Sequence, residues 1–264
     1  MSLLLLPLVA ILSAGAAPPA VAKGHVEPLT IADKTYGRER KVWVYTPPGY
    51  ATTGKPYGLV LFFDGESYLE EIPAPAILDT LIAENKIPPV VAVMLDTNQD
   101  RLGDLANRSR FADFAARELV PWIRAKWHVD RDPARVVVSG YSAGGLGAAY
   151  LGFRHPELFG NVLSQSGAFW RGNEGTSQPA EWLTEQFRKS ARLPVRFYID
   201  IGAGETHAAA NGVIFLEANQ RLRDVLQAKH YTVGYVEVAG AKHEPGHWRA
   251  ALPDGLVYLL RPAP

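Results

Sequence analysis

The chain has 264 residues, 47% hydrophobic and 20% charged, with Lys+Arg 27 balancing Asp+Glu 27. That composition is ordinary for a globular domain, and the absence of net charge or a basic block argues against a nucleic-acid partner. There is no cysteine, which excludes disulfides, a thiol nucleophile and a cysteine–zinc site.

The N-terminus opens with an apolar run, Leu3 to Leu12, followed by small residues with A-x-A sites at Ala14-Gly15-Ala16 and Ala20-Val21-Ala22. The run is short for a bilayer span and reads as a secretory signal peptide over residues 1–22, although no Lys or Arg precedes it. The expectation is an exported protein, periplasmic or secreted, with a catalytic domain over 23–264 and no stable membrane span after processing.

Strand-like runs then alternate with helical ones. LTIADKT and RKVWVYTPP come close together, as a hairpin would. YGLVLFFDG, PPVVAVMLD, ARVVVSG, GNVLSQSG, VRFYIDIG and TVGYVEVAG follow. The central runs are nearly all apolar, as parallel strands buried on both faces are. Between them, Phe111, Phe114, Ala115, Leu119 and Trp122 recur at helical spacing, with Pro121 expected to bend that helix. A second long helix is predicted within 211–230. The pattern predicts a single α/β domain, with a mostly parallel eight-stranded sheet and helices on both faces.

The strongest local signal is ARVVVSGYSAGGLGAAYLG. A β-branched strand runs into Gly140-Tyr141-Ser142-Ala143-Gly144, a G-x-S-x-G pattern, and a helix rich in alanine and glycine follows. Strand before and helix after is the context a nucleophile elbow requires. Ser142 would be exposed above the sheet, with the N-terminus of the next helix directed at the reacting centre. A serine hydroxyl needs a base, and the base an orienting acid, in the chain order serine, acid, histidine. Asp200 lies inside the next acid-bearing strand and Glu205 on the loop after it. Reactive groups of open α/β sheets gather outside the carboxyl ends of strands, which favours Glu205. His243 follows the last strand, where the base belongs. The oxyanion would be held by the backbone N–H groups of Ala143 and of Glu66, the latter in the turn opened by Gly65.

His243-Glu244-Pro245-Gly246-His247 also spells H-E-x-x-H, the zinc-peptidase pattern. That pattern needs both histidines on one helical face, and Pro245 with Gly246 suits a loop or a helix start instead. No metal and no cofactor is expected.

Several segments together resemble the esterase family that contains enterochelin esterases, antigen-85-type mycolyltransferases and feruloyl esterases, with the enterochelin-esterase branch nearest. They are VLFFDGESY, RLGDLANRSRFADFAARELVPWI, SGYSAGGLGAAYLGFRHPELFGNVLSQSGAFW, GAGE and HEPGHWR, spanning roughly Tyr57 to Leu252. The resemblance implies an α/β-hydrolase fold and a Ser142–Glu205–His243 triad. Asp104 stands where the branch usually has Glu, Lys242 replaces a Gly and Glu244 an Asp, and no counterpart of the branch's N-terminal domain is expected. The implied function is hydrolysis of a small-molecule carboxylic ester: a catecholate siderophore lactone or an aromatic-acyl ester. Acyl transfer, general short-chain esterase activity, a zinc peptidase and a non-catalytic binding protein are the alternatives. Substrate-binding candidates are Arg101, Arg108, Trp170, His247 and Trp248; Arg110 and Arg171 also flank the expected rim. With Tyr68, Phe111, Trp170 and Trp248, Arg171 would form a surface of flat aromatic faces and a cationic head suited to phenolic groups.

Overall fold

A computed structural model describes residues 21–97 and 99–261. Apart from its last two residues, the expected leader lies outside them. Among the described residues, no helix is long and apolar enough to cross a membrane.

Strands β1 (His25–Asp33) and β2 (Arg38–Thr46) form the predicted antiparallel hairpin. After them come β3 (Gly58–Phe63), α1 (Ser67–Glu70), α2 (Ala74–Ala83), β4 (Val90–Leu95), α3 (Arg101–Leu105) and α4 (Ser109–Phe114). α4 continues through a π turn, Ala115–Leu119, into α5 (Val120–Lys126). Pro121 has no N–H to give the carbonyl four residues back, and the widened turn lies just ahead of it. The chain then runs through β5 (Val136–Tyr141), α6 (Ala143–Arg154), β6 (Asn161–Gln165), α7 (Trp182–Lys189), β7 (Arg196–Gly202), α8 (Phe215–Ala228), β8 (Val233–Val238) and α9 (Pro245–Leu260).

The strands make one eight-stranded sheet in the order β1-β2-β4-β3-β5-β6-β7-β8. β2 pairs antiparallel with both neighbours, and every other pairing is parallel. Because side chains alternate along a strand, the apolar runs feed two cores. Leu59, Leu61, Phe63, Val136 and Val138 face the layer of α3 to α8, whereas Val60, Phe62 and Val137 face α2 and α9.

The fold positions its site through connectivity. After β3 the chain steps outward to β4, then returns to place β5 on the opposite side of β3. Such a reversal opens a crevice at the carboxyl ends of the two strands. The turns after β3 and β5, Asp64-Gly65-Glu66 and Ser142-Ala143, meet there.

The hairpin is fastened by a buried charge cluster. Arg40 donates to Asp33 at 2.6 Å and to Asp104 Oδ1 at 2.9 Å, and Arg38 reaches Asp104 at 2.9 Å. Asp104 is therefore a structural counter-ion that ties α3 to β2. Burial lifts its carboxyl above the ordinary range, although Arg40 and Arg38 pull the other way.

Candidate active site

Ser142 begins the turn into α6 with φ 55° and ψ −118°, a left-handed backbone that costs a non-glycine residue on the order of 1–3 kcal/mol. Bonds to the end of β6 and the segment after it hold it there. Its N–H donates to the Gln165 carbonyl at 2.8 Å, and its carbonyl accepts from Ala168 N–H at 2.9 Å. The turn is tight enough that a Cβ on Gly140 would lie 2.4 Å from the Gly144 backbone, and one on Gly145 would lie 2.5 Å from Ser164 Oγ. Only glycine fits at either position. Ser142 itself stays partly exposed.

Glu205 follows β7 and is 1% exposed. Its Oε2 accepts from His243 Nδ1 at 2.6 Å, and its Oε1 accepts from Ser166 Oγ at 2.5 Å and from Gly202 N–H at 3.0 Å. Burial would raise this carboxyl, but the bonds from His243, Ser166 and Gly202 outweigh it and hold it below the ordinary range. An ionised carboxylate only accepts, so the proton of the neutral imidazole sits on Nδ1 and Nε2 is left as an acceptor. His243 lies on the loop before α9, partly exposed, with Trp248 edge-on at 5.1 Å and Phe215 at 5.2 Å. Trp248 in turn stacks on Tyr141 at 4.1 Å, the residue before Ser142.

The two histidines of H-E-x-x-H diverge. α9 starts at Pro245, so His243 is outside the helix, while His247 Nε2 lies 3.1 Å from Asp200 Oδ1. Asp200 points to His247 rather than to His243, as expected of a carboxylate within the strand.

The turn after β3 is built around Asp64, which has φ 57° and is 1% exposed. Thr97 Oγ1 donates to it at 2.6 Å, and Arg101 grips both its oxygens at 2.7 and 2.6 Å. Arg101 also donates to the Tyr141 carbonyl at 3.1 Å. One guanidinium thus ties the turn after β3 to the turn holding Ser142. Glu66 opens α1 with an exposed side chain, and Ala143 opens α6.

The structure gives most of the substrate-binding candidates other contacts. Arg101 is committed to Asp64, and Arg108 sits 3.6 Å from Glu174. His247 and Trp248 are each 5% exposed and support the Glu205 loop from below. Tyr68 and Phe111 are fully inside the core, against Phe62 and Phe63 respectively, and Trp170 is 7% exposed against Phe215. The aromatic surface is therefore mostly interior, because large rings on the helices and loop packed over the sheet gain more by burial than by facing water. Arg110 lies over Tyr36 and donates to the Thr35 carbonyl at 3.1 Å. Arg171 differs from all of these. It lies 4.4 Å over the Trp170 ring with no carboxylate partner among the described residues, and burial together with Arg101 holds its pKa below the usual arginine value.

The sequence carries Gln165 and Ser166 within the block that resembles the family but assigns them no role. Ser166, at φ 48°, links Glu205 to Trp248, whose Nε1–H donates to its Oγ at 3.0 Å. Gln165 Nε2 donates to the Trp248 carbonyl at 2.8 Å. The polar run Ser164-Gln165-Ser166 at the end of β6 is the available signal.

A cross-braced layer covers this edge. Asn107 donates to the Gly172 carbonyl at 2.8 Å, Ser109 Oγ to Glu174 at 3.0 Å, and Asn211 to the Trp170 and Ser177 carbonyls at 2.9 and 3.0 Å.

A family model described as "Putative esterase" matches residues 34–259. The chain belongs to this esterase family. It is 29% identical over 228 residues to the iron(III) enterobactin esterase of Escherichia coli K12, covering 85% of this chain and 54% of that protein. Against the iron(III) enterobactin esterase of Dickeya dadantii it is 31% identical, covering 93% and 57%. The chain thus spans about half the length of these relatives. Among solved structures, the enterobactin esterase from Shigella flexneri, crystallised in the presence of enterobactin, superposes with TM-score 0.78 at 27% identity, covering 93% of this chain and 60% of that one. A ferulic acid esterase at 17% identity shares the fold with TM-score 0.76, covering 90% and 98%. The architecture is the α/β-hydrolase fold of this esterase family.

Proposed function

We propose that the chain is a serine carboxylic-ester hydrolase using Ser142, His243 and Glu205. The observation that carries this is the 2.6 Å bond from His243 to buried Glu205, at the same sheet edge as the strained Ser142 turn. Glu205 fixes the tautomer with Nε2 as acceptor, and Nε2 takes the Ser142 proton as Oγ attacks the ester carbonyl. The N–H groups of Ala143 and Glu66 hold the resulting oxyanion. His243 then protonates the departing alcohol, leaving an acyl-serine. In the second half His243 removes a proton from water, which attacks the acyl carbonyl, and Ser142 regains its proton.

The proposed substrate class is a catecholate siderophore lactone or a related aromatic-acyl ester. Relatives named for iron(III) enterobactin and iron(III) salmochelin support it, as does the uncompensated Arg171 over Trp170, a match for an anionic aromatic group. The apolar N-terminal run supports export as the site of action. The test is labelling by a fluorophosphonate probe, mapped to Ser142, together with specificity constants for a short aryl ester, a feruloyl ester and an enterobactin-type lactone. Preference for either of the last two supports the reading. Equal rates on all small esters reduce it to a general esterase, and labelling elsewhere or no turnover overturns it.

A further inference from the structure

Beneath the Glu205–His243 pair lies a second histidine–carboxylate pair with no part in the steps above. His247 and Asp200 have side chains 1% and 0% exposed, with Nε2 3.1 Å from Oδ1. The other ring nitrogen, Nδ1, is 3.8 Å from Glu205 Oε1. Two buried carboxylates therefore flank one ring. Other groups face this region. Tyr198 on β7 and Glu244 and Asp254 beside or on α9 line a cavity of about 410 Å³ that also reaches Asp200 and His247, and the Lys242 carbonyl faces the ring. Apart from His247, the titratable residues lining the cavity are acidic or phenolic, and His243 meets Glu205 only at its other oxygen, Oε2, so the surroundings favour a cation at this position. The cavity gives the ring a route for proton exchange with solvent.

We propose that His247 is a positioning residue: a buried imidazolium held between Asp200 and Glu205 that keeps the Glu205 carboxylate ionised and turned toward His243. This rests on the reading of Glu205 and His243 as the catalytic pair. Two unbalanced carboxylates at the end of one strand would repel, and one would take up a proton or swing away. A proton on Glu205 would weaken its hold on His243 Nδ1. Burial opposes charge on His247, but Asp200 and then Glu205 raise its pKa above the ordinary histidine value. Burial likewise raises the Asp200 carboxyl, with His247 and Gln165 pulling it back, so the geometry of the pair, with one ring between two carboxylates, carries the assignment. Ser166 and the Gly202 N–H fix one oxygen of Glu205, and His247 adds the charge that neither of these neutral groups supplies.

The first measurement needs no variant. Nitrogen-15 NMR of His247 at pH 7 should show both ring nitrogens protonated, and a neutral ring overturns the proposal. The second follows the Glu205 carboxyl by carbon-13 NMR in wild type and His247→Gln. Removing a cation that near should move its midpoint up by about half a pH unit or more, and an unmoved midpoint overturns the proposal. With an ester substrate, His247→Gln should lower kcat about tenfold with little change in KM, as loss of an orienting charge would. A change confined to thermal stability, with kcat intact, counts against it. The NMR measurements are independent of ester turnover. Absence of turnover in wild type would refute the esterase reading alone, and an unshifted Glu205 in an active enzyme would refute this inference alone.

Discussion

The indole of Trp248 lies flat on the ring of Tyr141, with centroids 4.1 Å apart and planes 11° from parallel. α9 thereby presses on the residue before Ser142, while Arg101 holds that residue's carbonyl from the other side. The strained turn is pinned from two directions. The same indole meets the His243 ring edge-on, so one side chain spaces the proposed nucleophile and base.

Ser142→Ala should fold normally and lose ester turnover by about three to six powers of ten, leaving only oxyanion and binding effects. His243→Ala should fall comparably. Single-turnover assays on an activated aryl ester, with circular dichroism as the folding control, provide the check.

Glu205→Gln should reduce kcat far more than Asp200→Asn, because only Glu205 reaches His243. The change should also alter acid stability. The carboxyl is held below its ordinary value when folded, so its contribution is fully present above the unfolded glutamate pKa. That contribution is lost as pH falls through the lower folded value. Urea melts across acidic pH should show wild type and variant converging as pH drops. A stability gap that widens toward acid would contradict this.

Ser166→Ala should leave Glu205 Oε1 with one donor fewer and strand the Trp248 Nε1–H in the interior. A cost of about 1–3 kcal/mol in stability follows from the unpaired buried group. A drop in kcat should accompany it, since the carboxylate loses an anchor. Denaturant titration and steady-state kinetics on one preparation measure both.

Gly140→Ala places a methyl group 2.4 Å from the Gly144 backbone. The turn must open, so activity should collapse even where the protein still folds. Stability should fall by about 1–3 kcal/mol, in the range of overpacking. A fluorophosphonate labelling rate equal to that of wild type would contradict the tight-turn account.

Asp104→Ala strips the counter-ion from Arg40 and Arg38 and should cost about 3–5 kcal/mol, the usual penalty for breaking a buried pair. Ester turnover per folded molecule should change little. Thermal melts against active-site titration separate the two effects.

Local pattern carried much of this architecture. The β-branched run into Gly140 and the small-residue helix after it required a sharp strand-to-helix turn at Ser142. The end of β7 set Glu205 apart from Asp200, because strand position decides which carboxylate reaches the sheet edge. What stayed hidden depended on contacts distant in sequence. Ser166 matters through Trp248, which lies 82 residues further on, and Arg101 through Asp64, 37 residues back. Nor did residue type disclose that Tyr68, Phe111 and Trp248 turn inward. An aromatic beside a site can face water or core, and only the neighbouring helices determine which.

The braces over the site mostly run from side-chain amides to main-chain carbonyls: Asn107 to Gly172, and Asn211 to Trp170 and Ser177. A carbonyl is present whatever residue carries it. A side chain such as that of Ser177, braced only through its carbonyl, is therefore freer to drift in evolution than the path of the loop, whereas Gly172, Glu174 and Gly175 are held by close approach, by Ser109 and by a positive φ. New selectivities could be tried on that stretch by mutation while the scaffold under Ser142, Glu205 and His243 stays unchanged.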